Sequence, residues 1–570
     1  MRKVTSLYPK KAEKIPSNMF ERELFEQNHR TYSGNGSVKL TTSGNVFVDD
    51  FANLGNYKTP RQYEDVAETM RNLWTNDPLT TLKESFYIRL ITRQPITLKG
   101  EKLSTHRGQG LKSEFWHRML WLAQNHPGTF AKNVSLIPVI GSWDDLFEIL
   151  RLDLQYNGID NKSFDWTPIL NLILTGLEDQ SQVNLIKKYL PTIHSAKNCT
   201  TLRKQCNAYI GKMIANYLFA YTSQPLSEKE KATVYAAYRK MKSSGTAHSW
   251  QQLISKKQFD RIDFNKVAGR ALQKLTNSKF LENHNLEDAY AKWIASQPVA
   301  KFTGYVYELF KPVCIVGGWG GNRTKTLKKY QEDLLNKQFA GLIETAKKDM
   351  NRESNFIGVL DISGSMTAEA LGTGMSSYQV GLAMCLYFSH LLEGRFKDTF
   401  LTFSSNVEIH KFEGKTPLDK FRGFSSEYYG STDFLGVARL LCSLKLKGYD
   451  ESEFPTGILC LSDGEFDYSG RNSSTFNKFK EMLLKAGFSK EFVDNFKIVL
   501  WDIRNGYYGD HKKATFESLA DAPNFFYMSG LDPAGIAFLT GTTKMQSIPK
   551  TAEELFEAAM TQELFEQIRL

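Results

Sequence analysis

Three short segments in the C-terminal part of the chain combine carboxylates with hydroxyls. They are Asp361-Ile362-Ser363-Gly364-Ser365, Gly430-Ser431-Thr432-Asp433 and Ser462-Asp463-Gly464. Asp361, Ser363 and Ser365 alternate along the first segment, so an extended turn would point all three side chains toward one ion. Carboxylates, hydroxyls and water are the ligands of a hard cation such as Mg²⁺. In the alternative interpretation, these Ser and Asp residues only cap helices.

The elements that must hold these segments alternate between strands and helices. The apolar run 356–361 is typical of a buried parallel strand, and the first segment follows it directly. Further strands are predicted at 399–403, 457–461, 497–501 and 525–528, and helices at 378–392, 434–444 and 476–486. This alternation predicts a doubly wound α/β domain over 351–545, with a ligand site at the carboxyl ends of its strands.

The three segments, in this order, resemble the metal-ion-dependent adhesion site of von Willebrand factor A domains. The resemblance implies metal ligands at Asp361, Ser363, Ser365, Thr432 and Asp463. Ser363 and Ser365 would coordinate directly, Asp463 through water, and Thr432 in the ligand-competent state. An open coordination position would take an acidic group from a partner.

No set of catalytic residues is evident around this predicted cation. A two-metal hydrolase needs more carboxylates and a base, and Glu465 and Asp467 are expected to face away. Ser363 has no G-x-S-x-G elbow around it. The sequence therefore predicts a protein that is not an enzyme.

The charge of the chain divides between its two parts. Of the 570 residues, 72 are Lys or Arg and 62 are Asp or Glu, which gives a net charge of +10. Residues 351–570 hold 22 basic and 29 acidic residues, and residues 1–350 hold 50 and 33. A basic first part suggests a polyanionic partner. The alternative is a solvated basic surface that aids solubility.

Composition excludes integral membrane, fibrous and mostly disordered proteins. Hydrophobic residues make up 41% and charged residues 24% of the chain, and no apolar run reaches the ~18–20 residues of a membrane span. Residues 1–5 lack the apolar core of a signal peptide. The six cysteines form no C-x-x-C pair. We expect a cytoplasmic protein of a reducing compartment.

The remaining segments are expected to be a loop-rich arm over 1–55, a helical domain over 56–350 and a helix within 546–570. Helical periodicity recurs in the middle region at 143–151, 168–175, 182–190, 203–221, 228–242, 264–275 and 326–349. Helices of this length joined by short polar turns predict a helical-repeat body.

Several segments of this helical region, followed by an A domain, resemble the Ro ribonucleoprotein family. The matching stretches are 77–90, 107–112, 116–123, 137–146 and 262–272. The family's Tyr-Gly-Arg-Trp-Asp-Asp reads Ile140-Gly141-Ser142-Trp143-Asp144-Asp145 here, without the aromatic residue and the arginine. The resemblance implies a ring of HEAT-like repeats that binds small structured RNA on its outer surface.

The stretch 99–118 is the candidate phosphate-contacting surface. The candidate RNA-binding residues are Lys102, Arg107, Lys112, His117 and Arg118. Backbone N–H groups at the start of the following helix could assist them. The alternative is a solvated loop that precedes an ordinary helix. Trp116, Trp121 and Trp143 are expected in the core.

The sequence leaves three hypotheses for function. The first is a non-catalytic, Ro-like RNA-binding protein whose Mg²⁺ site serves an acidic partner or domain docking. The second is a protein-interaction scaffold whose cation captures an acidic protein ligand, with no RNA. A metal-dependent nuclease or phosphatase is the third.

Overall fold

The computed structural model describes residues 15–32, 38–54, 60–90, 96–98, 101–103, 108–220, 225–244, 250–315, 322–347, 355–370, 372–391, 396–426, 430–464, 466–467, 475–503, 516, 518–529 and 549–570. The chain forms two compact units. Among the described residues, the helical unit contains those within 60–262 and 560–570, and the sheet unit contains those within 15–54 and 263–559.

Helices occur throughout the described chain. In chain order they are α1 (Met19–Asn28), α2 (Val46–Asn53), α3 (Tyr63–Asn76), α4 (Pro78–Arg89), α5 (Lys112–Asn125), α6 (Pro127–Asn133), α7 (Ile137–Ile140), α8 (Trp143–Asn157), α9 (Thr167–Glu178), α10 (Val183–Tyr189), α11 (Leu202–Phe219), α12 (Glu228–Ser244), α13 (Trp250–Ser255), α14 (Gly269–Thr276), α15 (Phe280–Asn283), α16 (Glu287–Ser296), α17 (Val306–Phe310), α18 (Lys329–Lys347), α19 (Ser377–Leu391), α20 (Pro417–Gly423), α21 (Leu435–Leu446), α22 (Thr475–Lys485), α23 (Lys490–Asn495) and α24 (Ala552–Met560).

The strands form one six-stranded sheet and two short hairpins. In chain order they are β1 (Arg30–Tyr32), β2 (Val38–Leu40), β3 (Ile96–Leu98), β4 (Glu101–Leu103), β5 (Phe356–Asp361), β6 (Thr399–Phe403), β7 (Val407–Lys411), β8 (Gly457–Ser462), β9 (Lys497–Asp502) and β10 (Phe525–Ser529). The large sheet has the order β10-β9-β8-β5-β6-β7. All neighbours in it are parallel except β6 and β7, which are antiparallel.

In the helical unit, polar side chains at helix starts define where the chain turns. Asp77 accepts the backbone N–H of Leu79 at 2.9 Å and Pro78 occupies the first turn, so α4 begins there. Successive helices pack as neighbours, with α5 against α3, α4 and α8, and α11 against α8 and α12. The described helices of this unit confirm a helical body in that part of the chain.

Helices cover both faces of the large sheet. Val359, Cys460 and Leu500 belong to one apolar cluster with residues of α21 and α22. The alternate positions face α19, where a Cβ at Gly358 would lie 3.2 Å from Cys385 Sγ. Buried residues on both faces explain the near-continuous apolar strands. The prediction of an α/β sheet in the C-terminal region is confirmed.

The N-terminal residues 15–54 differ from the expected loop-rich arm, since they contain two helices and a hairpin. Leu40 forms a two-way backbone bridge with Phe516, at 2.6 and 2.8 Å. Arg22 makes two hydrogen bonds to the Asp521 carboxylate. This segment is therefore an integral part of the sheet unit.

The compact units divide the chain at a different place from the change in secondary structure. The expected boundary at 350/351 marks where the strands of the large sheet begin, but α14–α18, which precede it, belong to the sheet unit. The final residues, 560–570, return to the helical unit, where the Arg569 N–H donates to Asn133 Oδ1 at 2.9 Å. The two compact units are defined by contacts between segments that are distant in the chain. The hydrophobic periodicity of a single segment does not show such contacts.

Candidate functional site

The carboxylate of Asp361 lies at the end of β5 and is fully buried. The Ser363 N–H donates to Asp361 Oδ1 at 2.8 Å, and the Ser462 hydroxyl donates to Oδ2 at 2.5 Å. The Ser363 and Ser365 hydroxyl oxygens are 3.1 Å apart. A short 3₁₀ turn, Gly364–Thr367, holds the two serines in this arrangement. Two of the three segments are thus joined at the carboxyl edge of the sheet.

Asp467, three residues after Gly464 in the chain, is hydrogen-bonded to the Thr432 segment. The Thr432 N–H donates to Asp467 Oδ2 at 3.0 Å, and the Asp467 N–H donates to the Thr432 carbonyl at 3.1 Å. The Ser431 hydroxyl donates to the same carboxylate. Thr432 is buried. Asp467, which was expected to face away, thus ties the chain that follows the third segment to the Thr432 segment.

The end of β6 completes the junction of these loops. The Ile362 N–H donates to the Phe403 carbonyl and the Asp433 N–H to the Ser404 carbonyl, each at 3.0 Å. Ser404 is therefore next to both the Asp361 and the Thr432 segments. Ser404 was not predicted from the sequence, and Ser462 and Asp467, although noted there, were not predicted to make these contacts. The position of Ser462 just before Asp463 was the available signal for Ser462.

Two carboxylates at this edge raise each other's cost of ionisation. Burial, and then the nearby charge of Asp463, raise the pKa of Asp361 to about 7. A divalent cation would favour the ionised form of both. No cluster of three or more His, Cys, Asp or Glu side chains occurs in the described chain. The donors that fit a hard cation here are therefore a mixture of carboxylate and hydroxyl oxygens.

The predicted RNA-contacting residues fall into three groups: exposed, buried and outside the described residues. Arg107 and the side chain of Lys102 lie outside the described residues, and Lys112 is exposed at the start of α5. Arg118 is buried between the carboxylates of Glu114 and Glu84. His117 is also buried, and burial lowers its pKa. The prediction that His117 and Arg118 contact RNA is therefore wrong, since both side chains face the interior.

The segment 140–145 has a structural role in the helical unit. Asp145 accepts the Ser142 N–H at 2.7 Å, which begins α8, and pairs with the buried Arg89 at 2.9 Å. The Trp116 indole N–H donates to the other carboxylate oxygen at 2.8 Å. A Cβ at Gly141 would overlap this carboxylate. Trp121 and Trp143 lie in the core, as predicted.

A concentration of positive charge lies further along the helical unit. Residues 181–262 contain 14 Lys and Arg but three Asp and Glu. Ten of the cations are exposed, and they are Lys188, Lys197, Arg203, Lys212, Lys229, Arg239, Lys240, Lys256, Lys257 and Arg261. Dividing the charge over shorter windows would have found this stretch from the sequence.

Contacts between α10 and α12 place two cation-bearing helix ends next to each other. Lys187 Nζ lies 3.3 Å from the Ser244 hydroxyl, and the Lys242 ammonium donates to the Leu190 carbonyl. The last turns of the two helices therefore lie side by side. We call the basic cluster Lys187, Lys188, Arg239, Lys240 and Lys242.

Comparison with known proteins gives families without an assigned function. Residues 355–564 match a model described as a domain of unknown function, DUF7788, and residues 33–165 match another, DUF2828. The chain is 22% identical to the uncharacterized protein L728 of Acanthamoeba polyphaga mimivirus. That match covers 83% of this chain and 79% of the relative.

One solved structure aligns with most of this chain, at low identity and low structural similarity. It is the crystal structure of the Ro (RSR) protein of Deinococcus radiodurans, with 12% identity and a TM-score of 0.44. The match covers 86% of this chain and 99% of that chain. Separately, no helix in the described ranges is long and apolar enough to cross a membrane.

Proposed function

We propose that this chain is a non-catalytic RNA-binding protein and that the basic cluster contacts the phosphates of a small structured RNA. The observation that carries the proposal is the excess of exposed cations over residues 181–262. Phosphate contacts by Lys and Arg release counterions and supply most of the affinity for nucleic acid. The order of segments that resembles the Ro family, with HEAT-like helices before an A domain, supports the same function.

The basic cluster replaces 99–118 as the main RNA surface in this proposal. Lys112 is kept as a peripheral contact because it is exposed at the start of α5. The six cysteines are free thiols, which supports a reducing, cytoplasmic location.

The experiment that tests RNA binding is recovery of nucleic acid with the purified full chain at low salt. The recovered material is treated with ribonuclease or deoxyribonuclease, sized and sequenced. A discrete set of structured RNAs, released as salt rises, is the expected result. Protein free of RNA, which also fails to bind a pool of RNA hairpins at low salt, would contradict the proposal.

The second candidate function is capture of an acidic group through a divalent cation, in an adhesion site like that of von Willebrand factor A domains. Asp361, Ser363, Ser365, Thr432 and Asp463 would hold Mg²⁺ or a similar cation. The observation in favour is the buried Asp361 carboxylate beside two hydroxyl oxygens 3.1 Å apart. The bound cation would offer an open position to a carboxylate of a protein partner or of another part of the chain.

Calorimetric titration of the full chain with Mg²⁺ and Mn²⁺ tests this site. We expect one cation per chain, and loss of binding in Asp361→Asn. Asp494→Asn is the matched control, because the exposed Asp494 pairs with Lys490 within α23, which precedes β9, whereas the three segments follow strands. Binding that persists unchanged in Asp361→Asn would contradict the site.

A further inference from the structure

Lys39 is a buried lysine in the N-terminal hairpin of the sheet unit. The three residues of β2, Val38, Lys39 and Leu40, are all buried. The bridge between Leu40 and Phe516 fixes one edge of this strand by two backbone hydrogen bonds, and β1 pairs with the other edge. A charged side chain in such a position requires a polar partner.

The ammonium of Lys39 finds that partner in the third candidate cation-binding segment. Lys39 Nζ donates to the carbonyl of Gly464, the residue that follows Asp463. It also lies 6.0 Å from the centre of the Phe466 ring. Gly464 has φ +80°, and a Cβ there would be 3.4 Å from Nζ. The loop therefore has a glycine where the lysine approaches.

We propose that Lys39 is a positioning residue of the candidate cation site and that its fixed charge weakens cation binding. This inference rests on the proposed site. The ammonium holds the Gly464 carbonyl and places a positive charge one residue from Asp463. A divalent cation bound at the same loop is repelled by that charge, because like charges interact strongly where water is largely excluded.

The same contact couples the site to the N-terminal segment 15–54. If Lys39 weakens cation binding, a bound cation must weaken the docking of Lys39 by the same factor. The backbone bridge next to Lys39, between Leu40 and Phe516, is where that loosening would be measured. Occupancy of the site would then be signalled through β2.

Calorimetric titration of the full chain with Mn²⁺ compares wild type with Lys39→Gln. Glutamine keeps an N–H donor for the Gly464 carbonyl and removes the charge. We expect Lys39→Gln to bind about fivefold more tightly or better. Lys447→Gln is the control, since Lys447 lies at the far end of α21, about 18 Å from the Thr432 segment. It should bind as wild type does.

The outcomes separate the two proposals. Wild type that binds Mn²⁺ with the same affinity as Lys39→Gln overturns the role of Lys39 and leaves the site standing. Wild type that binds no cation overturns the site and this inference with it. If Lys39→Gln does not fold, hydrogen exchange on wild type decides: Mn²⁺ should speed exchange at the Leu40 and Phe516 amides, and unchanged exchange contradicts the proposal.

Discussion

Two stretches of the helical unit use positive charge in opposite ways. Residues 60–180 contain 13 Lys and Arg with 15 Asp and Glu, whereas residues 181–262 contain 14 with three. In the first stretch, Arg89, Arg118 and Arg151 are buried against carboxylates. In the second, most cations are exposed.

The physical reason for the difference is the cost of burying an unpaired ion. A charged side chain enters the interior when an opposite charge and hydrogen bonds accompany it. Where carboxylates are scarce, cations remain at the surface and are available to a polyanion. The local ratio of acidic to basic residues therefore separates buried, paired cations from exposed ones better than the number of cations does.

The largest expected effect is on the buried pair of Arg89 and Asp145. Arg89→Met leaves Asp145 buried without its cation, so the free energy of unfolding should fall by about 3–5 kcal/mol. Urea unfolding of both proteins measures this. A loss below about 1 kcal/mol would show that the first stretch does not depend on paired burial.

Asp361 offers the contrasting case of a buried carboxylate at the sheet edge. Its folded pKa, about 7, exceeds the unfolded value of about 3.9. The folded state thus retains the proton longer, and stability in chelator should fall as pH rises from about 4 to 7.

Replacing Asp361 by Asn removes that pH dependence. At pH 8 in chelator, Asp361→Asn should be more stable than wild type by about 1–2 kcal/mol. Added Mg²⁺ should stabilise the wild type and leave the variant unchanged. Parallel pH profiles of the two proteins in urea unfolding would refute the assignment.

The basic cluster should govern affinity for RNA without affecting stability. Lys188→Gln with Lys240→Gln should weaken binding to a structured RNA about tenfold at moderate salt. The slope of log affinity against log salt should fall by about 1–2, because one phosphate contact contributes about 0.9. Fluorescence anisotropy over a salt series measures both.

The matched control neutralises two exposed lysines of the sheet unit, Lys411 and Lys447. Lys411→Gln with Lys447→Gln changes the net charge equally and should leave the slope as in wild type. Equal losses in the two double variants would mean that overall charge, and not the basic cluster, determines binding.

The smallest expected effect concerns His117, whose pKa is lowered by burial. The unfolded state binds a proton first as pH falls, so the stability that His117 contributes above about pH 6.5 is lost on acidification. His117→Gln should flatten the stability profile between about pH 5 and 6.5 by less than 1 kcal/mol. Thermal unfolding over this range measures the difference, and an unchanged profile would contradict it.

Strands of the central sheet could be predicted from the sequence because each is a short apolar run. The structure places β5 at Phe356–Asp361 and β6 at Thr399–Phe403, as expected. The edge strand β7, Val407–Lys411, was missed because it carries polar residues and is partly exposed. Whether a strand lies at the edge depends on the order of strands in the sheet, and this order cannot be read from the sequence of one segment.

The candidate sites also differ in how far they could be predicted from the sequence. The segments around Asp361 and Asp463 follow predicted strands, so their meeting at one edge of the sheet could be predicted. Arg118 pairs with Glu114, four positions earlier, at 2.9 Å, and with Glu84, 34 positions earlier, at 3.8 Å. The first carboxylate could be read from the residues around Arg118, whereas the second, on α4, could not. The basic cluster was missed because charge was summed over 350 residues.

The most direct test of the central claim is ultraviolet crosslinking of the full chain to its co-purified RNA, or to a structured RNA hairpin, with mass spectrometry of the crosslinked peptides. The account predicts that most crosslinked peptides come from residues 181–262. Crosslinks confined to the sheet unit, or to residues 96–118, would contradict it.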